Sequence, residues 1–311
     1  MMSPSRSFDI ISIGEPLAEF NATRGDGGYQ FGFGGDTSNA AVAAARQGAS
    51  VAYVTALGDD EAGRAFRELW SREGVDASSV RIDPDAATGI YFIAHGEKGH
   101  VFSYLRSGSA ASRLTPRDIP VERISRTKAL HVSGISQAIS SSACDAVFVA
   151  IEAARAAGVL VSYDSNLRLK LWPLARARAI IHAAMAQCDI ARPGLDDARE
   201  LTGLADPDAI ADFYLRLGAK IVALTLGREG ALIATESERR RLPSITVEPV
   251  DATGAGDCFD GAFLAEYLRI KDPFAAGRYA AVAAALSTRG FGAVAPIPKR
   301  GEVEAILREK K

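Results

Sequence analysis

The chain has 311 residues, 48% of them hydrophobic and 24% charged, enough apolar material for one large core or two modest ones. Its 36 basic and 38 acidic residues leave a formal net charge of −2, which offers no basic field for a nucleic-acid backbone. Three scattered cysteines without Cys-x-x-Cys spacing argue against a disulfide framework or a thiolate metal site, and no run approaches the ~18 apolar residues of a membrane span. A cytoplasmic protein with no membrane or nucleic-acid partner is expected.

Phe8–Gly14 is a compact β-rich run closed by glycine, suited to a buried parallel strand. Glu15–Phe33 is rich in glycine with isolated aromatics, including Gly25, and reads as turns and short strands, a possible flap. Gly34-Gly35-Asp36-Thr37-Ser38-Asn39 then introduces an alanine-rich helix over 40–48, with capping residues before it and a glycine stop after it. A tight turn before a helix accounts for Gly34 and Gly35 as well as any functional reading does. Val51–Gly63 reads as a strand ending in a Gly-x-Asp-x-x-Gly turn. Gly89–Ala94 and His100–Arg106, joined by a polar turn over 95–99, form a hairpin by their signals, and Tyr91 and Tyr104 either pack at an edge or line a pocket.

Beyond Gly108, short apolar strands alternate with amphipathic helices. Ala129–Gly134 precedes a helix near 141–157, Val159–Asp164 precedes one over 174–187, and Lys220–Thr225 leads through Leu226–Gly230 into a strand over 231–235. That alternation predicts an α/β fold, a parallel sheet with helices on both faces and ligands gathered at the carboxyl ends of its strands. No internal repeat or low-complexity tract marks a second domain.

Val250-Asp251-Ala252-Thr253-Gly254-Ala255-Gly256-Asp257 runs into a helix whose Phe259, Phe263, Tyr267 and Ile270 share one stripe and whose other faces are also apolar, so the helix should be buried. The small turn lets backbone amides close around an anion at a helix start, where the dipole adds positive character. Asp257 at that mouth either caps the helix or takes a proton from an attacking hydroxyl. The chain has no Gly-x-x-x-x-Gly-Lys-Ser/Thr, and neither Gly254-x-Gly256 nor Gly32-x-Gly34 has the third glycine of a dinucleotide fingerprint, which excludes an ordinary P-loop and weakens an oxidoreductase reading. The four histidines show no helical pairing of metal ligands.

Asp251-Ala252-Thr253-Gly254-Ala255-Gly256-Asp257 resembles the Asp-Thr-x-Gly-Ala-Gly-Asp signature of the ribokinase-like (PfkB) carbohydrate kinases, with Ala252 in the usual Thr place. Gly34, Gly35, Asn39 and Ala41 match that family's Gly-Gly-x-x-x-Asn-x-Ala. Within the family, Gly14-Glu15-Pro16-Leu17, Tyr104-Leu105-Arg106-Ser107-Gly108-Ser109-Ala110 and Asp164-Ser165-Asn166-Leu167-Arg168 with Leu171-Trp172 resemble the 2-keto-3-deoxygluconate kinases. The resemblance extends from Gly14 to Gly290-Phe291-Gly292-Ala293 and implies a three-layer ribokinase-like fold over 1–311 with one small lid sheet from about 15–33 and 89–106.

It further implies an ATP-dependent kinase acting with Mg²⁺ on the terminal hydroxyl of a small acidic keto sugar. Asp257 would be the base, and the amides of Gly254, Ala255 and Gly256 would hold the transferring phosphoryl charge. Gly34, Gly35, Asn39, Tyr91, Tyr104 and Asp251 would surround the sugar, and Arg106 and Arg168 would grip its carboxylate, as guanidinium geometry suits. Thr225, Gly227 and Gly230 match the turn along the nucleotide, although a glycine turn between two strands explains them equally. Asp251 and Thr253 would order the signature turn, with a monovalent cation such as K⁺ as in some relatives. A lid sheet often serves as a dimer surface in this family, so a homo-oligomer is expected. Two departures stand out: Gly194-Leu195-Asp196-Asp197 replaces the Asn-x-x-Glu that helps place Mg²⁺, and Asp36-Thr37 replaces Ala-Glu, adding negative charge beside the sugar pocket. The alternatives are a kinase for a neutral sugar such as fructose or ribose, and an inactive sugar- or nucleotide-binding homologue.

Overall fold

The computed structural model describes residues 8–23, 27–96 and 99–309. The N-terminal stretch 1–7, Gly25 of the flap segment and residues 97–98 of the hairpin turn lie outside the described residues. Thirteen strands are present among them: β1 Ile10–Ile13, β2 Leu17–Ala22, β3 Tyr29–Gly34, β4 Val51–Gly58, β5 Val75–Asp83, β6 Gly89–Gly96, β7 Gly99–Leu105, β8 Ala129–Ser133, β9 Leu160–Asp164, β10 Ile190–Arg192, β11 Ile221–Thr225, β12 Ala231–Thr235 and β13 Arg239–Leu242. The helices are α1 Asp36–Arg46, α2 Glu61–Glu73, α3 Val121–Ile124, α4 Gly134–Ala138, α5 Ser141–Ala156, α6 Leu174–Met185, α7 Leu195–Thr202, α8 Pro207–Leu217, α9 Ala255–Ile270, α10 Pro273–Ser287 and α11 Arg300–Glu309.

Nine strands form the main sheet in the order β13-β12-β11-β10-β9-β8-β1-β4-β5. All neighbours are parallel except at β12, which runs antiparallel to both β11 and β13. The chain lays β4 and β5 on one side of β1 and then returns to lay β8 and the later strands on the other. This reversal of direction beside β1 opens a crevice at the carboxyl ends of the strands.

Alternation along the buried strands divides the core in two. Ile10, Tyr53, Leu57 and Ala223 face one layer with Val42, Phe66, Trp70, Phe263, Tyr279 and Val303. Ile11, Ile13, Val54, Val222 and Leu224 face the other with Val147, Ile151, Ile181, Leu201 and Tyr214. Helices α1, α2, α9, α10 and α11 therefore cover one face and α5 to α8 the other, the three-layer α/β/α arrangement that the strand and helix alternation predicts.

The two β-rich segments that interrupt the alternation pair with each other in a second sheet, ordered β3-β2-β6-β7. Its β2–β6 contact is parallel and its outer pairs are antiparallel. Phe20, Phe31, Phe92 and Tyr29 pack ring against ring across it. At its base, the Asp60 carboxylate accepts from the Gly63 amide at 2.7 Å, capping α2, and from the Thr88 amide at 2.7 Å, just before β6.

One boundary differs from the sequence reading. Residues 36–39 do not precede the first helix but form its first turn, and no side chain caps it. Gly35, at φ 100°, is the cap residue, and a Cβ there would press on the Glu15 carbonyl and lie 2.8 Å from Pro16 Cα. The polar residues stay in the helix because they are buried with partners across the cleft, which outweighs their preference for capping positions.

Candidate active site

The start of α9 is built by a turn that only small residues allow. Gly254 adopts φ 75°, and a Cβ there would lie 2.8 Å from that of Ala293. Buried Asp251 ties the turn together: its Oδ1 accepts from the Thr253 amide at 2.9 Å and hydroxyl at 2.7 Å, and its Oδ2 accepts from the Gly292 amide at 3.0 Å. No side chain caps α9, and the amides of Gly256 and Asp257 donate to no backbone carbonyl among the described residues. A Cβ on Gly256 would meet nothing within 4 Å, so the cradle opens to space. Free amides at a helix start facing open volume suit an anion such as a phosphoryl group.

Asp257 lies in the first turn of α9, and its carboxylate accepts from Asn39 Nδ2 at 2.7 Å. That contact, 218 residues apart in sequence, sets the capping alternative aside. Burial pushes its carboxyl up to about 8, nearby Asp36 adds to the rise, the Asn39 amide opposes it, and Asp164 raises it further. Asp164, at the end of β9, is likewise pushed up to about 7 by burial, with Arg192 opposing and Asp36 adding. Asp36 accepts from Asn166 Nδ2 at 3.0 Å through one oxygen; its other oxygen, and Asn39 Oδ1, are buried without a partner in the structure. Thr37, its neighbour, is structural, its hydroxyl 2.8 Å from that of Tyr53.

Arg168 is exposed on the loop after β9 and lies close enough to Asp257 to lower its carboxyl pKa. The loop is held by Asn166, at φ 27°, whose amide donates to Asp164 Oδ1 at 3.2 Å, and by the Leu167 amide, which donates to Asp197 Oδ2 at 2.8 Å. Asp197 thus supports the arginine loop from the start of α7, while neighbouring Asp196 pairs with Arg199 at the surface. Arg106 is differently placed. Its guanidinium pairs with buried Glu15, whose other oxygen accepts from Ser109 Oγ at 2.6 Å, and Arg106 Nε is buried with no hydrogen-bond partner among the described residues. Glu15, raised by burial against the pull of Arg106, has no motif that names a role for it, and its partner stands 91 residues later.

Tyr91 and Tyr104 stack with ring centroids 5.7 Å apart on the small sheet. The Tyr91 hydroxyl donates to buried Glu19, and its ring lies against Gly34, where a Cβ would fall 2.8 Å from Cε1. Gly34 therefore makes room for the tyrosine. Glu19 also faces Asp251, which adds to the effect of burial in raising its pKa.

Thr225 ends β11 on the same edge of the main sheet, and Gly227 (φ 59°) and Gly230 (φ 101°) make the turn into β12. Their left-handed conformations satisfy the plain-turn explanation. His131 is buried and kept neutral, its pKa lowered to about 3 by burial and Arg192. Among the described residues no cluster of three or more His, Cys, Asp or Glu could hold a metal. A divalent ion would then take most of its ligands from phosphates and water, as Mg²⁺ does at nucleotide sites. Asp257, Asn39, Asp36, Asp164 and the α9 amides share one cleft, with Arg168 at its rim. Asp36, Asp164, Asn166 and Glu15 were given no binding or catalytic role by the sequence, although Asp164, Asn166 and Glu15 lie within matched motifs and Asp36 stands out as a departure from one.

Comparison with known proteins agrees with this geometry. The model of the pfkB family of carbohydrate kinases matches residues 9–300. A 2-dehydro-3-deoxygluconokinase of Thermoproteus tenax is 36% identical over 94% of this chain and 93% of its own length. Fructokinase-1 of Oryza sativa subsp. japonica is 34% identical over 97% and 98%. The solved structure of a ribokinase II from E. coli in complex with ATP and Mg²⁺ superposes with a TM-score of 0.90 at 25% identity, covering 97% of this chain and 99% of that one. Family match, full-length kinase relatives and a cleft built on an anion-binding helix start together make this chain a member of the pfkB family of carbohydrate kinases, ATP-dependent sugar phosphotransferases.

Proposed function

We propose that the chain transfers the γ-phosphoryl group of ATP to the terminal hydroxyl of a small acidic keto sugar, with 2-keto-3-deoxygluconate as the first choice. The observation that carries the reading is the pairing of a half-buried carboxylate, Asp257, with the unoccupied amides of the α9 start, since a base and an oxyanion holder must converge on one transferring group. Asn39 orients the carboxylate through Nδ2, so that it receives the hydroxyl proton as the oxygen attacks. ATP with Mg²⁺ supplies the phosphoryl group and the divalent charge that offsets its phosphates. The Gly254–Gly256 turn stabilises the charge that develops on transfer, and the Thr225–Gly230 turn lies along the nucleotide.

The acidic substrate is supported by Arg168, an exposed guanidinium near Asp257, and by the unpartnered Nε of Arg106. Gly34, Gly35, Tyr91 and Tyr104 shape the sugar pocket, and the four-stranded sheet acts as its lid within one kinase domain. A second reading, a neutral ketose such as fructose, is favoured by one specific feature: the Arg106 charge is already matched by Glu15. The test is kcat/KM by a coupled ADP assay with 2-keto-3-deoxygluconate and with fructose. A higher value for the keto acid supports the first reading, a higher value for fructose the second, and no turnover of any sugar would leave an inactive homologue. The same assay in K⁺ and in choline tests a monovalent cation beside the Asp251 turn; equal rates would reject it. Cytoplasmic location and a homo-oligomer complete the reading; no described helix is long and apolar enough to cross a membrane.

A further inference from the structure

Two acceptors on α1 stand out because nothing in the fold uses them. Asp36 Oδ1 and Asn39 Oδ1 are both buried, and neither has a hydrogen-bond partner among the described residues. The residues are only 8% and 3% exposed, so solvent does not satisfy them either. An unused buried carboxylate oxygen is costly unless a ligand completes it. Residues three apart share a helix face, so the two oxygens look into the same space. The opposite ends of both side chains are fixed: Asp36 Oδ2 accepts from Asn166 at 3.0 Å, and Asn39 Nδ2 donates to Asp257 at 2.7 Å. Each side chain is thus held at one end beside the proposed base, with its remaining oxygen left unused. Both free atoms are acceptors, which calls for donors, and hydroxyl groups are the donors a sugar has.

We propose that Asp36 is a specificity-determining residue whose free Oδ1 accepts a hydrogen bond from a substrate hydroxyl other than the one phosphorylated, with Asn39 Oδ1 accepting from a second. This rests on the reading of the cleft as the sugar site and deepens it. The substrate must present two donors along one edge in addition to its reacting hydroxyl. The negative charge that Asp36 adds beside the pocket is then a recognition element for hydroxyls, and Arg168 is left to meet a carboxylate at the other end.

The proposal predicts a matched loss. Wild type, Asp36→Ala and Asp36→Asn are assayed with 2-keto-3-deoxygluconate and its 4-deoxy and 5-deoxy analogues, or with fructose and its 3-deoxy and 4-deoxy analogues should fructose be the better substrate. A hydrogen bond to a charged group corresponds to a ~10- to 100-fold loss in kcat/KM for the parent sugar. Against one deoxy analogue the same variants should show almost no further loss, because the hydroxyl that Asp36 meets is already gone; against the other they should lose as much as against the parent. Equal loss for parent and both analogues overturns the proposal and makes Asp36 a support for the Asn166 loop.

A second readout keeps the test open should Asp36→Ala fail to fold. The titratable and charged groups facing Asp257 are Asp36 from α1, Asp164 from β9, Arg168 from the loop after it, the phenols of Tyr53 and Tyr91, and neighbouring Cys258. Asp36→Asn removes one of the two carboxylates in that list, so the acidic limb of the kcat/KM profile should move to lower pH. An unmoved limb together with an unchanged preference among the analogues rejects a role at the site. Wild type inactive on every sugar would instead sink the kinase reading on which this one stands, whereas activity that depends on Asp257 but shows no Asp36 coupling sinks this inference alone.

Discussion

Replacing Asp257 by Asn should make the protein slower and more stable at once. The substitution keeps the shape and can still accept from Asn39 Nδ2, but it removes the proton acceptor. Loss of a general base of this kind lowers kcat by about 10²–10⁴, that is, ~2.7–5.5 kcal/mol of barrier. The stability effect has the opposite sign. Burial, Asp36 and Asp164 push the carboxyl from its ordinary 3.8 up to about 8, so the folded protein holds the proton more tightly than the unfolded chain. Stability contributed by the neutral form is then fully present below pH ~4 and is lost as pH rises through about 8. Because the neighbouring carboxylates share the burden, the gain at pH 9 belongs to the group and not to Asp257 alone, and Asp257→Asn should be the more stable protein there. Denaturant melts of both proteins at pH 5 and pH 9, beside turnover and ATP binding, check this. The variant should bind ATP, should lose the rise of kcat/KM toward pH 8, and should outlast wild type chiefly at the higher pH. Turnover above a tenth of wild type, or a stability difference that does not widen with pH, would refute the assignment of Asp257 as an ionising base.

Arg168→Ala should lower kcat/KM for 2-keto-3-deoxygluconate roughly ten- to hundredfold and leave fructose little changed, with Arg168→Lys recovering only part; equal loss for both sugars would assign Arg168 to the fold or the nucleotide. Gly261→Ala should destabilise the protein by ~1–3 kcal/mol or more, because a Cβ there would strike the Ala40 carbonyl and lie 2.7 Å from Ala43 Cβ where α9 crosses α1; an unchanged melting midpoint would contradict that close crossing. Saturating sugar should slow hydrogen exchange in β2, β3, β6 and β7 if the small sheet closes over substrate, and unaffected exchange would remove the lid from the reading.

The parts of this molecule that were legible in the sequence are those whose physics is local. The turn at Gly254–Gly256 needs small residues and a positive φ, and the stripe of Phe259, Phe263 and Tyr267 reports a buried helix; both are present, the rings stacking in sequence along α9. The parallel sheet was legible because strand and helix periods alternate. What was not legible depends on pairings across the chain. Residues 36–39 look like a capping segment until Asn166 and Asp257, 130 and 218 residues away, supply their partners. Arg106 reads as a free cation on a β-strand until Glu15 is found beneath it. β10 is only three residues long and leaves no period to detect.

Charge also argues for how the nucleotide must enter. The cleft gathers Asp36, Asp164 and Asp257, with Asp197 behind them and Glu19 beside Asp251. The buried cations near them are engaged: Arg106 with Glu15, and Arg192 with Asp260 behind α9, where it also lies over the Phe259 ring at 4.2 Å. Arg168 bears on Asp257 and sits at the rim. Beside the α9 start a triphosphate would therefore meet helix-start amides, with Arg168 at the rim and Arg228 on the Thr225–Gly230 turn as the exposed cations that could reach it. On the proposed function, a divalent ion would then supply attraction for binding as well as for transfer. Removing Mg²⁺ with EDTA should abolish activity and also weaken ATP binding at least tenfold, measured by calorimetry with the wild-type protein. At pH 9, where the Asp257 carboxyl is ionised, Asp257→Asn removes one negative charge and should bind metal-free ATP more tightly than wild type; at pH 6 the two should bind alike. Metal-free ATP bound as tightly as the magnesium complex would show that the amide cradle and Arg168 suffice, and would reject the charge argument.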